Sequence, residues 1–340
     1  MIRLGLVGCG AVAEICHLPA GDLSRDFRIT ALADTNITRA RNLAERYRVA
    51  DCTDDYHQLT KKIDGAIIAL PHYLHASAAI AFLNQRVPVL VEKPLALTVA
   101  EAVNLVETAA SNATLLQAGY MYRFCRGARL VRQTIDEGWL GPLRSFSLES
   151  GYLYNWPAAS GFNFSNRQAG GGVLIDTGSH MLDLLLWWLG SVEEVDYRDD
   201  SEGGIESDCC LSLTLRSAAG TVQGEVILSR LRQLSDTARI VGERFTIEYD
   251  VSSAAGVRIW PTCQARGNHS FAAEYDAEVE QNWNHVYAEQ LGAFAHAIAS
   301  GTPSLVSAES VLPTVELIER CYKIRKPLEL PWTTAVLPQL

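Results

Sequence analysis

The stretch Ile2-Arg3-Leu4-Gly5-Leu6-Val7-Gly8-Cys9-Gly10-Ala11-Val12-Ala13 decides how the chain is read. Ile2–Val7 is an apolar run of strand length, and such runs fit a strand buried on both faces. It ends in Gly8-x-Gly10-x-x-Ala13, and a helix is predicted from about Ala11. Gly8 permits a tight turn, Gly10 lets a pyrophosphate approach the main chain, and Ala13 lets helix and strand pack closely. Cys9, Ala11 and Val12 complete a loop whose free N–H groups meet an anion at the helix start. The next apolar strand, Phe27–Ala33, ends in Asp34. A carboxylate there accepts hydrogen bonds from ribose hydroxyls and repels a 2′-phosphate, so NAD is expected over NADP. Arg39 is the counterweight, because a nearby arginine accommodates that phosphate.

Strand and helix patterns continue to alternate away from this loop. Helical spacing covers Ile37–Tyr47, a buried strand Gly65–Leu70, a helix Ala76–Asn84 and a strand Val87–Val91. Thr98-Val99-Ala100-Glu101 is a capping box that opens a helix to about Ala110. Thr114–Ala118 gives one more strand, and Pro19 is expected to kink or end the first helix. This alternation implies an α/β, doubly wound parallel sheet covered on both faces. We place the dinucleotide-binding unit at residues 1–122 and a second unit, for substrate and oligomerisation, at 123–340.

The second unit changes character. It carries a helix at Arg126–Glu137, a strand at Arg144–Ser150, an irregular aromatic segment from Tyr152 to Asn166, and strand-like runs at Cys209–Leu215, Thr221–Leu228, Thr237–Val241, Phe245–Tyr249 and Val257–Trp260. Consecutive strands with short turns predict a mostly antiparallel sheet. Helices at about Asn284–Ala299 and Ala308–Tyr322 close the chain.

Composition narrows the function classes. The 340 residues carry a formal charge of −10, which argues against a nucleic-acid partner. No apolar run approaches the ~20 residues that cross a bilayer, so no membrane association is expected. The eight cysteines form no C-x-x-C pair and are read as buried thiols of a cytoplasmic protein.

Two further motifs carry chemistry. Glu92-Lys93-Pro94 ends a predicted parallel strand, where doubly wound sheets bind their ligands. A lysine there donates to a substrate oxygen. Gly170-Gly171-Gly172 leads into a helix on which Asp176, His180 and Asp183, spaced i, i+4, i+7, share one face. An imidazole flanked by carboxylates suits general acid–base work. The spacing would also suit a metal, but no third neutral ligand accompanies it and none is expected.

Taken in order, Gly8–Ala13, Glu92-Lys93-Pro94 and Gly170 through Asp183 resemble the glucose–fructose oxidoreductase / inositol dehydrogenase / MocA family. The resemblance implies an N-terminal Rossmann domain and a C-terminal α/β domain with a large open sheet, through which members form homodimers or homotetramers. It implies that Lys93 contacts nicotinamide and the reacting oxygen. His180 is then the acid–base, and Asp176 orients substrate or sets the charge of His180. The family's Thr-Pro-Asn and following His become Leu70-Pro71-His72-Tyr73-Leu74-His75 here, so Leu70, Pro71, His72 and His75 are expected beside the cofactor with Glu92. Arg123 is expected near the cleft. Tyr152, Tyr154, Trp156 and Arg167 are expected on a carbohydrate-like substrate, a sugar, inositol or nucleotide-linked sugar. Three readings follow: an NAD-linked dehydrogenase, a glycosidase or epimerase that retains NAD with no net redox, and a non-catalytic dinucleotide-binding regulator.

Overall fold

A computed structural model describes residues 1–157, 159–217, 220–262, 273–275 (main chain only) and 282–329. Six parallel strands form the first sheet: β1 (Ile2–Val7), β2 (Phe27–Ala33), β3 (Asp51–Thr53), β4 (Gly65–Ile68), β5 (Val89–Glu92) and β6 (Leu116–Gly119). Their order is β3-β2-β1-β4-β5-β6. The order reverses between β1 and β4, and a crevice opens there at the carboxyl ends of the strands. Strands β4, β5 and β6 are buried along their whole length, which is why they read as largely apolar runs, with Glu92 and Gln117 the buried polar exceptions. Helices α1 (Leu18–Asp22), α2 (Ile37–Tyr47), α3 (His75–Leu83) and α4 (Val99–Ser111) form the crossovers. Thr98 caps α4 as expected, its hydroxyl accepting from Glu101 N at 3.2 Å.

Pro19 does not end the first helix. The backbone widens into a π-turn over Ala13–His17 and then continues as α1 with Pro19 in its first turn. A π-turn makes room for a ring that would otherwise strike the carbonyl four residues earlier.

Among the described residues the second sheet has nine strands in the order β14-β13-β12-β11-β7-β10-β9-β8-β15. After the first sheet the chain runs through α5 (Arg126–Asp136), the second sheet's interior strand β7 (Leu143–Gly151), α6 (Asn166–Ala169) and α7 (Val173–Leu189). The remaining strands are β8 (Ser191–Asp199), β9 (Asp208–Ser217), β10 (Gly220–Ser229), β11 (Thr237–Gly242), β12 (Phe245–Asp250), β13 (Val257–Pro261), β14 (Ala273–Tyr275) and β15 (Lys326–Pro327). Among the described residues the β7–β10 and β8–β15 pairs are parallel and the other pairs of this sheet antiparallel. On β9 the residues Cys209, Leu211, Leu213 and Leu215 are buried against the helix layer, while Ser212 and Arg216 face outward. β8 escapes its sequence pattern because the register shifts between Val192 and Glu194 and breaks the two-residue alternation. Helices α8 (Trp283–Ser300) and α9 (Leu312–Ile324) complete the chain, and α8 returns to pack on α1 and β1 of the first sheet.

The entry to α7 explains the glycine triplet. Val173 N donates to Glu206 O at 2.9 Å and Leu174 N to Glu206 Oε1 at 2.9 Å, so Glu206 supplies the helix cap. A Cβ on Gly172 would lie 1.9 Å from that same carbonyl oxygen. Gly172→Ala should therefore displace the cap and cost about 2–3 kcal/mol. Urea unfolding checks this, and an unchanged midpoint would contradict it.

Candidate active site

A cleft of about 1130 Å³ opens at the carboxyl ends of β1, β2, β4 and β5 and is roofed by the second unit. Its floor is the glycine loop. Gly8 has φ of +97°, and a Cβ there would lie 2.3 Å from Ala69 O. Gly10 has nothing within 4 Å of where its Cβ would stand, so the main chain at this turn is open to a ligand. Asp34 Oδ2 accepts from Cys9 N at 2.8 Å and Oδ1 from Asn36 N at 2.7 Å, which fixes the carboxylate at the cleft wall. Arg39 is already engaged: its Nη2 donates to Ala159 O, across the cleft, at 3.2 Å. Open glycine, small neighbours and a fixed acidic residue suit a dinucleotide.

The loop after β4 carries two histidines. His72 Nδ1 lies 2.9 Å from Ala169 O, and because a carbonyl only accepts, that nitrogen carries the proton. Burial, then His75 and Lys93, push His72 down to about 3, so it stays neutral. His75 lies beneath it, 2.7 Å from Pro94 O and 2.8 Å from Leu70 O, and burial lowers its pKa as well. Glu92 is 5% exposed and meets His17 Nε2 at 2.8 Å.

Lys93 reaches across the cleft to α7. Its ammonium donates to both the carboxylate and, at 3.1 Å, the main-chain oxygen of Asp176. The second carboxylate oxygen accepts from Arg230 Nη2 at 2.6 Å. Burial would raise the Asp176 carboxyl, but these two cations outweigh it and hold the group below the usual carboxylate range. One helical turn later His180 faces the same cleft, packed on Tyr122 at 5.0 Å between ring centroids. Burial first, and then the Lys93 charge, hold its pKa well below the ordinary value. Its Nδ1 is buried with no partner among the described residues, so Nε2 is the nitrogen open to the cleft.

Of the two carboxylates the spacing places beside that imidazole, only Asp176 acts on it, its charge opposing burial and Lys93. Asp183 lies deeper in the core, where Arg123 binds it through Nε at 2.8 Å and Nη2 at 2.6 Å. Arg123 is thereby removed from the cleft and also donates to Ser310. Among the other expected residues, Gly8, Gly10, Ala11, Val12, Asp34, Arg39, Leu70, Pro71, His72, His75, Glu92, Lys93, Tyr152, Trp156, Asp176 and His180 line the cleft. Cys9 and Ala13 are buried in packing behind the loop, and burial pushes the Cys9 thiol up to about 12. Tyr154 turns away and Arg167 is exposed outside the lining. The sequence reading missed Arg230, together with Trp283 and Tyr287 of α8, which close one wall. Nothing local in the sequence joins α8 to this site.

The buried neutral imidazoles of His72 and His180 have a consequence for stability. Each takes up a proton on unfolding below its ordinary 6.5, and the folded state does not. Stability is thus complete above that value and falls as pH drops, by about 1.4 kcal/mol per pH unit for each histidine. Asp176 adds loss only below its ordinary 3.8, where the unfolded carboxyl takes a proton that the ion-paired folded one does not. Urea unfolding should show the steep fall beginning near 6.5, and His72→Gln should make it shallower. A flat profile down to about pH 4 would contradict these assignments.

Comparison with known proteins gives this geometry its relatives. Residues 2–120 match the model of the Gfo/Idh/MocA oxidoreductase family, NAD-binding Rossmann fold, and residues 128–248 match the family's C-terminal domain. The chain belongs to this family. Inositol 2-dehydrogenase 2 of Paenarthrobacter aurescens (strain TC1) is 28% identical over 327 residues, covering 92% of each chain. D-glucoside 3-dehydrogenase of Escherichia coli (strain K12) is 28% identical over 61% of this chain and 60% of its own. The chain thus spans about three fifths of the first curated family relatives it matches. Levoglucosan dehydrogenase in complex with NADH and levoglucosan has a TM-score of 0.84 at 19% identity, covering 95% of this chain and 96% of its own. A 3-ketoreductase from Actinomadura kijaniata with NADP and TDP-benzene has a TM-score of 0.80 at 22%, covering 97% and 99%. These structures share the family fold. No helix among the described residues is long and apolar enough to cross a membrane.

Proposed function

We propose that this protein is an NAD-dependent oxidoreductase acting on a secondary alcohol, or the matching ketone, of a sugar, inositol or nucleotide-linked sugar. The observation that carries this reading is the Lys93 ammonium, anchored on Asp176 one helical turn before His180, in the cleft that contains the open glycine turn. Bound nicotinamide supplies the acceptor for the carbon-bound hydrogen. The chain supplies the rest. Gly8 and Gly10 shape the pyrophosphate seat, with Cys9, Ala11, Val12 and Ala13 completing the loop. Asp34 takes the ribose hydroxyls, while Arg39, Leu70, Pro71, His72, His75 and Glu92 line or brace the cofactor wall. An ammonium has three donors, so Lys93, with two directed at Asp176, keeps one for the substrate oxygen. His180 Nε2 takes the hydroxyl proton in oxidation and returns it in reduction. Tyr152 and Trp156 offer apolar faces to the C–H surfaces of a carbohydrate.

One observation favours the second reading, retained NAD without net redox. The Arg39–Ala159 bridge ties the second unit across the adenosine end of the cleft. Incubation with NAD or NADP and a panel of polyols, sugars and nucleotide sugars separates the readings. Accumulating NADH supports the dehydrogenase. Chemical change without NADH supports the retained-cofactor reading, and neither outcome on any compound overturns both. We further infer a cytoplasmic protein that assembles as a dimer or tetramer through the second sheet.

A further inference from the structure

We infer that Arg230 is a positioning residue for hydride transfer: it holds one oxygen of Asp176 so that the other keeps the Lys93 ammonium aimed at the substrate. This deepens the proposed function and rests on it.

Arg230 immediately follows β10, and its main chain is fixed on both sides. Its N–H donates to Ser207 O at 2.8 Å, and its carbonyl accepts from Tyr154 N at 3.0 Å. The residue is 7% exposed and stands outside the cleft lining. Its guanidinium carbon stands 4.9 Å from the centre of the Tyr154 ring, and Nη2 donates to Asp176 Oδ2 at 2.6 Å. Tyr154 is itself held by Asn163 Nδ2, which donates to its hydroxyl at 3.0 Å. The aromatic segment thus acts at this point as a platform for the arginine.

The geometry is unusual for a packing role. One carboxylate receives two cations from different sheets: Lys93 from the end of β5 and Arg230 from the end of β10. A carboxylate held at one oxygen can swing about its terminal torsion, which is broad. Held at both oxygens, its plane is set, and so is the place of the ammonium on it. Arg230 Nε is left buried without a partner among the described residues, so the side chain is arranged for Asp176 rather than for its own hydrogen bonding. Buried ion pairs are poor stabilisers, and apolar replacements of similar volume are often tolerated. Stability alone therefore gives little reason for this arginine.

The test compares wild type with Arg230→Met, Arg230→Lys, Asp176→Asn and the Arg230→Met/Asp176→Asn double variant. The readouts are steady-state kinetics on the best polyol, thermal unfolding and crystal structures. Arg230→Met should lower kcat by about 10- to 100-fold with KM changed less than about threefold, because the lost interaction acts in the transition state. Arg230→Lys should recover part of that loss. In the Asp176→Asn background the Met substitution should cost nothing further, because neighbours acting as one unit are non-additive. Unchanged kcat in Arg230→Met, or losses that multiply in the double variant, would overturn the inference. If Arg230→Met does not fold, Arg230→Lys is made in both backgrounds and read the same way. If wild type turns over no polyol, the proposed function fails instead. The clasp is then judged from the crystal structures, where Asp176 keeping its rotamer and its Lys93 bond in Arg230→Met would overturn it.

Discussion

Lys93→Met should lower kcat/KM for polyol oxidation by about 10²–10⁴-fold while the protein remains folded. The ammonium stands at the end of a rigid buried strand and is locked to α7 through Asp176. Its charge acts where an alkoxide develops, and such preorganised charge costs no reorganisation when the bond breaks. Folding should survive because Asp176 keeps Arg230 as a partner when the lysine is removed. Lys93→Arg should not restore the rate, since a planar fork cannot take the place of a compact point charge. Initial rates, with thermal unfolding as control, check the prediction. A loss under about tenfold in Lys93→Met would contradict the role.

His180→Asn should cost about 10²–10⁴-fold in the same assay, the range of a lost general base. The pH dependence sharpens the test. Burial and the Lys93 charge keep the imidazole neutral well into the acid range. Oxidation uses that neutral form, so its rate should show no acid limb between about pH 6 and 8. Reduction needs the protonated form, whose population falls about tenfold per pH unit above its pKa. The reductive rate should therefore climb as pH is lowered over the same range. An oxidative rate that collapses below pH 7, or a reductive rate that ignores pH, would contradict the assignment.

Much of the fold was legible because its signals are local. The glycine turn, the largely apolar strands and the capping box at Thr98 depend on neighbours within a few residues. Helical spacing likewise placed Asp176 and His180 on one face of α7, and both line the cleft. Spacing could not say what packs on that face. Asp183 shares the same face and lies further along the helix, where the fold supplies Arg123 and Thr314 instead of solvent and ligand. Arg230 and Tyr287 were illegible for the same reason. Their place depends on how β10 and α8 are set against α7 and the first sheet, which no local pattern encodes. Pro19 shows the reverse limit: the local rule was sound, but a widened turn absorbed the ring.

The account turns on direct transfer of a carbon-bound hydrogen to nicotinamide from an alcohol held between Lys93 and His180. A substrate alcohol carrying deuterium on its carbinol carbon, incubated with the enzyme and NAD, measures this most directly by mass spectrometry of the recovered dinucleotide and sugar. The account predicts deuterium in the reduced dinucleotide from wild type, and the same transfer slowed by about 10²–10⁴-fold in Lys93→Met. Consumption of the labelled alcohol with the deuterium lost to water would contradict it.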